Sequence, residues 1–369
     1  MMGWPRRWAL ELGDTYVLGL VRALIGLFLF WHALVLGQEL SQHGYFGDAF
    51  HLPILPDSWV LPLRWYATLL AIRVILAVMV TVGHRARFAL FASALLSLYV
   101  MLCDRIQLHH NRFALACYAF LLAFTPCDRS FKITAPEDTS ASSRIGPLWA
   151  QRLVQLQCCL IYLASGGAKL LDPDWRDGSV LGDRFVRYGY QAESFGVPAG
   201  LIHLFQQPFT TGLLAKLAIA TELFLAFALL SKRTRIFALW WGTMFHLTIQ
   251  VTSKVEIFTW LTLSIYALFA TPDTLSRRLS FDPDNPRAVF TARFVALLDW
   301  LARFDIQPWK PDPLKQGHAL VITRRDGTHA TGLAAFAMCT RCLPLLFPLW
   351  APVAFVASFT RKGETSETA

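Results

Sequence analysis

Apolar residues run along this chain in blocks, with polar residues gathered between them. A helix needs about 17–25 apolar residues to cross the hydrocarbon core of a bilayer. By that measure about eight blocks predict spans, at roughly 16–36, 64–82, 87–103, 113–126, 148–168, 213–230, 235–252 and 255–272. The fourth is short, which predicts a tilted or partly buried helix. No small-residue cleavage site follows the first block, so it reads as a retained helix.

Two of the intervals between blocks are unusual. Residues 37–62 contain no Lys or Arg but hold Tyr45, Phe46, Phe50 and Trp59, with prolines at 53, 56 and 62. Residues 169–212 are long for a connection within a bundle. Their aromatics, between Phe185 and Phe205, together with His203, predict an ordered segment embedded in the membrane interface. Beyond residue 272 the pattern changes. Residues 273–329 are rich in charge and proline, and 330–359 are apolar again but broken by Pro344, Pro348 and Pro352. Proline removes a helical hydrogen bond and clashes with the preceding turn, so short helices on a small domain are expected there. The predicted organisation is a membrane domain (1–272), a small domain (273–360) and a disordered polar tail (361–369).

Composition agrees with the pattern. The 369 residues are 55% hydrophobic and 16% charged, whereas a soluble chain carries roughly a quarter charged residues. The fold class expected is an all-α polytopic membrane bundle, with the lipid bilayer as its first partner. The net charge of +9 would suggest nucleic acid in a soluble domain. Here the basic residues lie mainly in short loops, where they set topology instead. Arg6 and Arg7, Arg85 and Arg87, Arg129, Lys132 and Arg144, Lys232, Arg233 and Arg235, and Arg277 and Arg278 all fall on one side if the spans alternate. That places both termini in the cytoplasm, with a bacterial inner membrane as the expected location. The seven cysteines (103, 117, 127, 158, 159, 339 and 342) have no regular spacing, which argues for packing residues over a disulfide framework.

Ionisable residues at membrane depth are costly and each is a functional candidate. Arg22, Arg73, Glu222 and His246 lie inside apolar blocks. Arg73 and Glu222 are expected to pair across helices, because buried charges need partners. Arg22 either joins such a network or holds an anionic or quinone-like ligand. A second cluster, Asp104-Arg105-Ile106-Gln107-Leu108-His109-His110-Asn111-Arg112, joins the third and fourth blocks. Adjacent histidines point in different directions on a helix, and nothing here has zinc-site spacing, so no metal is expected. These residues are either interfacial polar filler or acid/base groups. The third cluster ends the fifth block: Gly166-Gly167, then Lys169-Leu170-Leu171-Asp172-Pro173-Asp174-Trp175. A lysine at the lip of a membrane helix either snorkels to water as an anchor or points into a cavity and serves as a base.

Residues 162–178 (YLASGGAKLLDPDWRDG) resemble the segment around the active lysine of the vitamin K-dependent gamma-carboxylases, shared by bacterial horizontally transferred transmembrane domain proteins. The stretches 104–113 and 222–272, with Phe245-His246 and Phe258-Thr259-Trp260, and the Arg22-x-x-x-Gly26 pattern are similar to further parts of that family. The resemblance implies a membrane enzyme that uses a reduced quinone, oxygen and carbon dioxide on a lipophilic or peptide substrate. The family's base is the second of two lysines, a position held here by Leu170 in an ungapped alignment, so Lys169 beside it is the candidate base, with His110 and His246 as acid/base or orienting groups. Arg22, Asp104, His109, Asn111, Asp174, Trp175 and Glu222 would line the substrate cavity. Where the family has two consecutive lysines this chain reads Lys169-Leu170, and its Asn-Asn-His is read as His109-His110-Asn111.

Residues 281–288 and 295–299, with Asp326-Gly327, Gly332 and the stretch 343–352, are similar to the DCC thiol-disulfide oxidoreductase-like family. That resemblance implies a small α/β thioredoxin-like domain. Asn285 and Ala288 occupy the places of its two cysteines, so a docking or stabilising role is implied in place of dithiol exchange. The rival expectations are a non-catalytic membrane scaffold or maturation partner, and a transporter. The lack of internal repeats weighs against transport.

Overall fold

In the computed structural model, the residues described are 10–43, 54–103, 108–133, 145–253, 255, 257–270, 277–309, 319–324 and 327–364. The chain divides into two compact units. One comprises Met1–Lys232 with Phe245–Phe269, and the other Arg233–Met244 with Ala270–Ala369.

The first unit opens with a short strand, β1 (Leu12–Asp14), that pairs antiparallel with β2 (Ile145–Pro147), Gly13 opposite Gly146. This two-stranded ribbon is an addition to the all-helical expectation. It ties the entrance of the first helix to that of the fifth, and an ion pair between Glu11 and Arg152 supports it. The helices are α1 (Tyr16–His43), α2 (Leu63–Val82), α3 (Ala86–Cys103), α4 (His110–Leu122) and α5 (Trp149–Leu171). There follow α6 (Pro173–Asp177), α7 (Ser179–Ser194), α8 (Ala199–Phe205), α9 (Pro208–Ala228), α10 (Arg235–Thr252), of which only the part from Phe245 belongs to this unit, and α11 (Phe258–Tyr266). Helix α1 packs on α2, α2 on α3, α3 on α4, and α5 on α9. The apolar seam of the first three helices holds Leu36, Tyr66, Leu69, Leu70 and Val100.

Among the described residues, five helices, not the eight expected, are long and apolar enough to cross a membrane: Tyr16–Gln38, Arg64–Val82, Ala86–Cys103, Trp149–Leu171 and Pro208–Ala228. Helix α4 has 13 residues, about 20 Å at 1.5 Å per residue, short of a core about 30 Å thick. Helix α10 has 18 residues, but Arg235, Trp240, Trp241, His246 and Gln250 dilute its apolar character. Helix α11 has nine, followed by a 3₁₀ turn at Ala267–Ala270. A sixth candidate is the pair Gly332–Cys342 and Pro344–Phe359, bent by 119° at its break. Pro344 follows the break and Pro348 lies in the 3₁₀ turn Pro344–Leu349, as the sequence predicts, whereas Pro352 sits within the first turn of the helix Trp350–Glu364.

Residues 169–212 are ordered, as expected, in α6, α7 and α8. Asp172 caps α6, its carboxylate accepting the Asp174 N–H at 3.0 Å, with Pro173 in the first turn. Gly178, at φ +92°, turns the chain into α7. A Cβ at Gly178 would stand 2.5 Å from the Gly212 nitrogen on α9. The turn thus needs glycine for both its dihedral and its close approach.

Two ionisable residues have partners that the sequence did not predict. Arg22 is fully buried, and its guanidinium donates to five backbone carbonyls. Nη1 reaches Val80 and Thr81, both at 2.7 Å, at the end of α2. Nη2 reaches Ser130 and Phe131, at 2.9 and 2.6 Å, and Nε reaches Cys127 at 3.4 Å. These carbonyls lie at a helix end and in a turn, where regular i+4 partners are missing, although the Val80 carbonyl also accepts the Gly83 N–H at 3.2 Å. Arg73 does not pair with Glu222. It bonds His32 and Ser97, and Glu222 bonds Lys169.

The second unit contains a four-stranded sheet of β3 (Arg277–Phe281), β4 (Phe304–Pro308), β5 (Leu320–Thr323) and β6 (His329–Ala330) in the order β4-β3-β5-β6. Strands β3 and β4 are parallel, joined through α12 (Pro286–Leu298), and the other two pairings are antiparallel. Leu279, Ile322, Val295, Leu298 and Leu343 form its core, with Cys339 of α13 (Gly332–Cys342). The chain then enters α14 (Trp350–Glu364). The cysteines in both units are free.

Candidate functional site

Helix α5 carries Tyr162, Ser165, Gly166 and Lys169 at i, i+3, i+4 and i+7, so they share one face over two turns. This face meets α9. Gly166 lets the two backbones approach: a Cβ there would meet Leu223 at 3.1 Å and the Glu222 Cβ at 3.2 Å. One turn further along, Lys169 Nζ lies 2.8 and 2.7 Å from Glu222 Oε1 and Oε2. It also donates to Ser165 Oγ at 2.5 Å. The Lys169 and Glu222 side chains are 18% and 10% exposed. The Trp175 ring of α6 lies 5.0 Å from Nζ, and Arg184 of α7 lies 5.5 Å from the same ring. The lysine neither snorkels freely to water nor touches a histidine. It is held in a cage of carboxylate, hydroxyl and indole.

Two turns earlier on α5 is the second cluster. Tyr162 Oη lies 2.5 Å from His246 Nε2 and 2.5 Å from Tyr266 Oη. Tyr162 and Tyr266 are nearly, and His246 completely, buried. Thr259 donates to the His246 carbonyl at 3.2 Å, fixing α10 against α11. His246 Nδ1 is buried and has no partner. The Phe258 ring lies 5.3 Å from the His246 ring and 6.2 Å from the His110 ring, so both histidines border one phenylalanine.

The match to known proteins follows this geometry. Residues 12–274 match the HTTM domain. The chain belongs to the HTTM domain family. No curated protein and no solved structure matches it. Its apolar helices and this domain make it an integral membrane protein.

Within the HTTM domain the structure brings some of the sequence candidates together and separates others. Lys169, Glu222 and Trp175 are in direct contact. His246 and His110 meet around Phe258. His109 caps α4, accepting the Asn111 N–H at 3.4 Å, and lies beside His110 with ring centroids 4.1 Å apart and planes tilted by 33°. Asn111 is buried and donates to the Val255 carbonyl at 3.3 Å, while its own Oδ1 has no partner. Arg22 is engaged by backbone carbonyls, and Asp174 is exposed in the first turn of α6. Asp104 lies outside the described residues. Ser165, Tyr162, Tyr266 and Arg184 were not singled out from the sequence. The α5 spacing of Tyr162, Ser165 and Lys169 was the available signal for two of them. Among the described residues, no three His, Cys, Asp or Glu side chains converge as a metal site requires.

Proposed function

We propose that this HTTM domain is a membrane enzyme that removes a proton from a lipophilic ring compound, with a reduced quinone as substrate class and Lys169 as the base. The Lys169–Glu222 pair carries this reading, because it holds an amine and a carboxylate largely out of water at the lip of a membrane helix. Moving one proton from Lys169 Nζ to Glu222 Oε1, 2.8 Å away, leaves a neutral amine beside a carboxylic acid. The amine then accepts the substrate's hydroxyl proton. Ser165 fixes the position of Nζ.

The residues fit a quinol. His246 Nδ1 and Asn111 Oδ1 are open buried polar atoms, available to ring hydroxyls, and Phe258 and Trp175 offer aromatic surface. When bound, a reduced quinone supplies the acidic hydroxyl and reducing electrons, and oxygen and carbon dioxide are the co-substrates implied by the gamma-carboxylase resemblance. Tyr162 and Tyr266 orient His246, and Phe245 and Phe258 shield it from water.

The second unit fits a thioredoxin-like reading through its parallel β3–α12–β4 element followed by antiparallel β5 and β6. Where the DCC resemblance would place a first cysteine, Asn285 caps α12 by accepting the N–H groups of Arg287 and Ala288. A docking role follows, without dithiol exchange.

A second reading is favoured by the same pair: Glu222 satisfies Lys169 so fully that the two can act as a structural lock between α5 and α9 in a non-catalytic scaffold. Oxygen uptake by the purified protein in nanodiscs, supplied with a reduced naphthoquinone, separates the readings. The enzyme reading expects turnover by wild type and a loss of about 100-fold in Lys169→Ala. The double variant Lys169→Met/Glu222→Leu, which removes both charges, is expected to fold and stay inactive. No turnover by wild type, or equal turnover by Lys169→Ala, leaves the lock.

A further inference from the structure

Away from Lys169, the first three helices hold another set of buried polar side chains. His32 on α1, Arg73 on α2, and Ser93 and Ser97 on α3 are 8%, 3%, 2% and 4% exposed. Arg73 Nη2 lies 3.1 Å from His32 Nδ1 and 3.1 Å from Ser97 Oγ. A guanidinium has donors and no acceptor, so His32 Nδ1 must accept. The neutral imidazole then carries its hydrogen on Nε2. That Nε2–H is buried and has no partner. Ser93, one turn before Ser97 on the same face of α3, has a buried hydroxyl that is also without a partner.

His32 Nε2–H and the Ser93 hydroxyl are therefore two open donors among the buried polar side chains of these three helices. Arg112 of α4 is close enough for its charge to act on His32. Inside a bilayer there is no bulk solvent to satisfy such donors, and open polar groups at this depth mark binding sites or pathways. A negatively charged oxygen acceptor is the ligand this arrangement suits, because charge-assisted hydrogen bonds are the stronger ones and the guanidinium field favours an anion.

We propose that His32, Arg73 and Ser93 form a binding site for a small carboxylate, taken either from an organic acid or from bicarbonate. One oxygen accepts from His32 Nε2–H and the other from the Ser93 hydroxyl, with Arg73 holding the imidazole in the donating tautomer. This site stands independently of the role given to Lys169.

The test is thermal unfolding of the purified full chain in detergent with acetate, bicarbonate or chloride at matched pH and ionic strength. A saturable rise in Tm of roughly a few degrees is expected with a carboxylate and not with chloride. The acetate and bicarbonate series distinguish the two sources. Ser93→Ala removes an open buried hydroxyl, so its Tm without ligand is expected to equal or exceed that of wild type, with the carboxylate shift lost. His32→Phe is expected to lose the shift as well. If His32→Phe fails to fold, Ser93→Ala decides alone. No carboxylate-specific shift in wild type overturns the site. So does a full shift in Ser93→Ala, or density at His32 Nε2 that fits an ordered water only.

Discussion

Lys169 Nζ bonds both carboxylate oxygens of Glu222, at 2.8 and 2.7 Å, and so joins helices 53 residues apart in the chain. The pair is mostly buried on both sides. Its energy is therefore asymmetric: the intact pair adds modest stability, while either partner alone is a poorly solvated charge. Glu222→Gln or Lys169→Met is expected to destabilise the domain by ~3 kcal/mol, and Lys169→Met/Glu222→Leu by much less than the sum. Denaturant unfolding of the four proteins in detergent measures the cycle. Additive losses would mean that the contact is not an energetic pair.

The glycines around the site differ in what surrounds them. Gly178 has φ +92° and faces the Gly212 backbone, whereas Gly167 lies inside α5 with open space where a Cβ would stand, nothing being within 4 Å. Gly178→Ala must shift α9 or strain the turn and is expected to cost more than ~2 kcal/mol. Gly167→Ala should be neutral or stabilising by up to ~1 kcal/mol, because alanine loses less conformational freedom in a helix. Melting temperatures of the two variants should move apart, and a similar fall in both would contradict this.

Arg22 serves five carbonyls from its three guanidinium nitrogens. Lysine has three donors and no planar fork, so Arg22→Lys cannot replace it. Arg22→Lys and Arg22→Met are both expected to lose more than ~3 kcal/mol, because each leaves buried carbonyls without donors. Yield of folded protein after detergent extraction gives the first readout. Near-native yield for Arg22→Lys would show that the carbonyls have another source of donors.

Tyr162 bridges His246 and Tyr266, and Tyr266 sits at the end of that chain. Tyr162→Phe removes two contacts and is expected to cost ~2 kcal/mol, with Tyr266→Phe costing about half as much. Unfolding free energies check the ranking. Equal losses would place the stronger constraint elsewhere on His246.

The sequence by itself determined that this chain is a helical membrane protein, and it singled out Lys169. Both are local properties: apolar length is a sum over neighbouring residues, and a lysine at the end of an apolar block is visible in one segment. The Pro173 start of α6 and the proline-broken C-terminal helices were legible for the same reason, since proline acts on its own backbone. The number of crossings was not, because helices α4 and α11 fall short of a span through where their turns begin and α10 through its polar content. Partners were decided by the tertiary structure. Glu222 was expected to meet Arg73 and instead meets Lys169, while Arg73 turns to His32 and Ser97. Arg22, an equally conspicuous charge, is taken up by backbone carbonyls. Charge types state that a partner is needed inside a membrane; the packing of α5 on α9 at Gly166, and of α1 on α2, sets which partner comes within hydrogen-bonding distance.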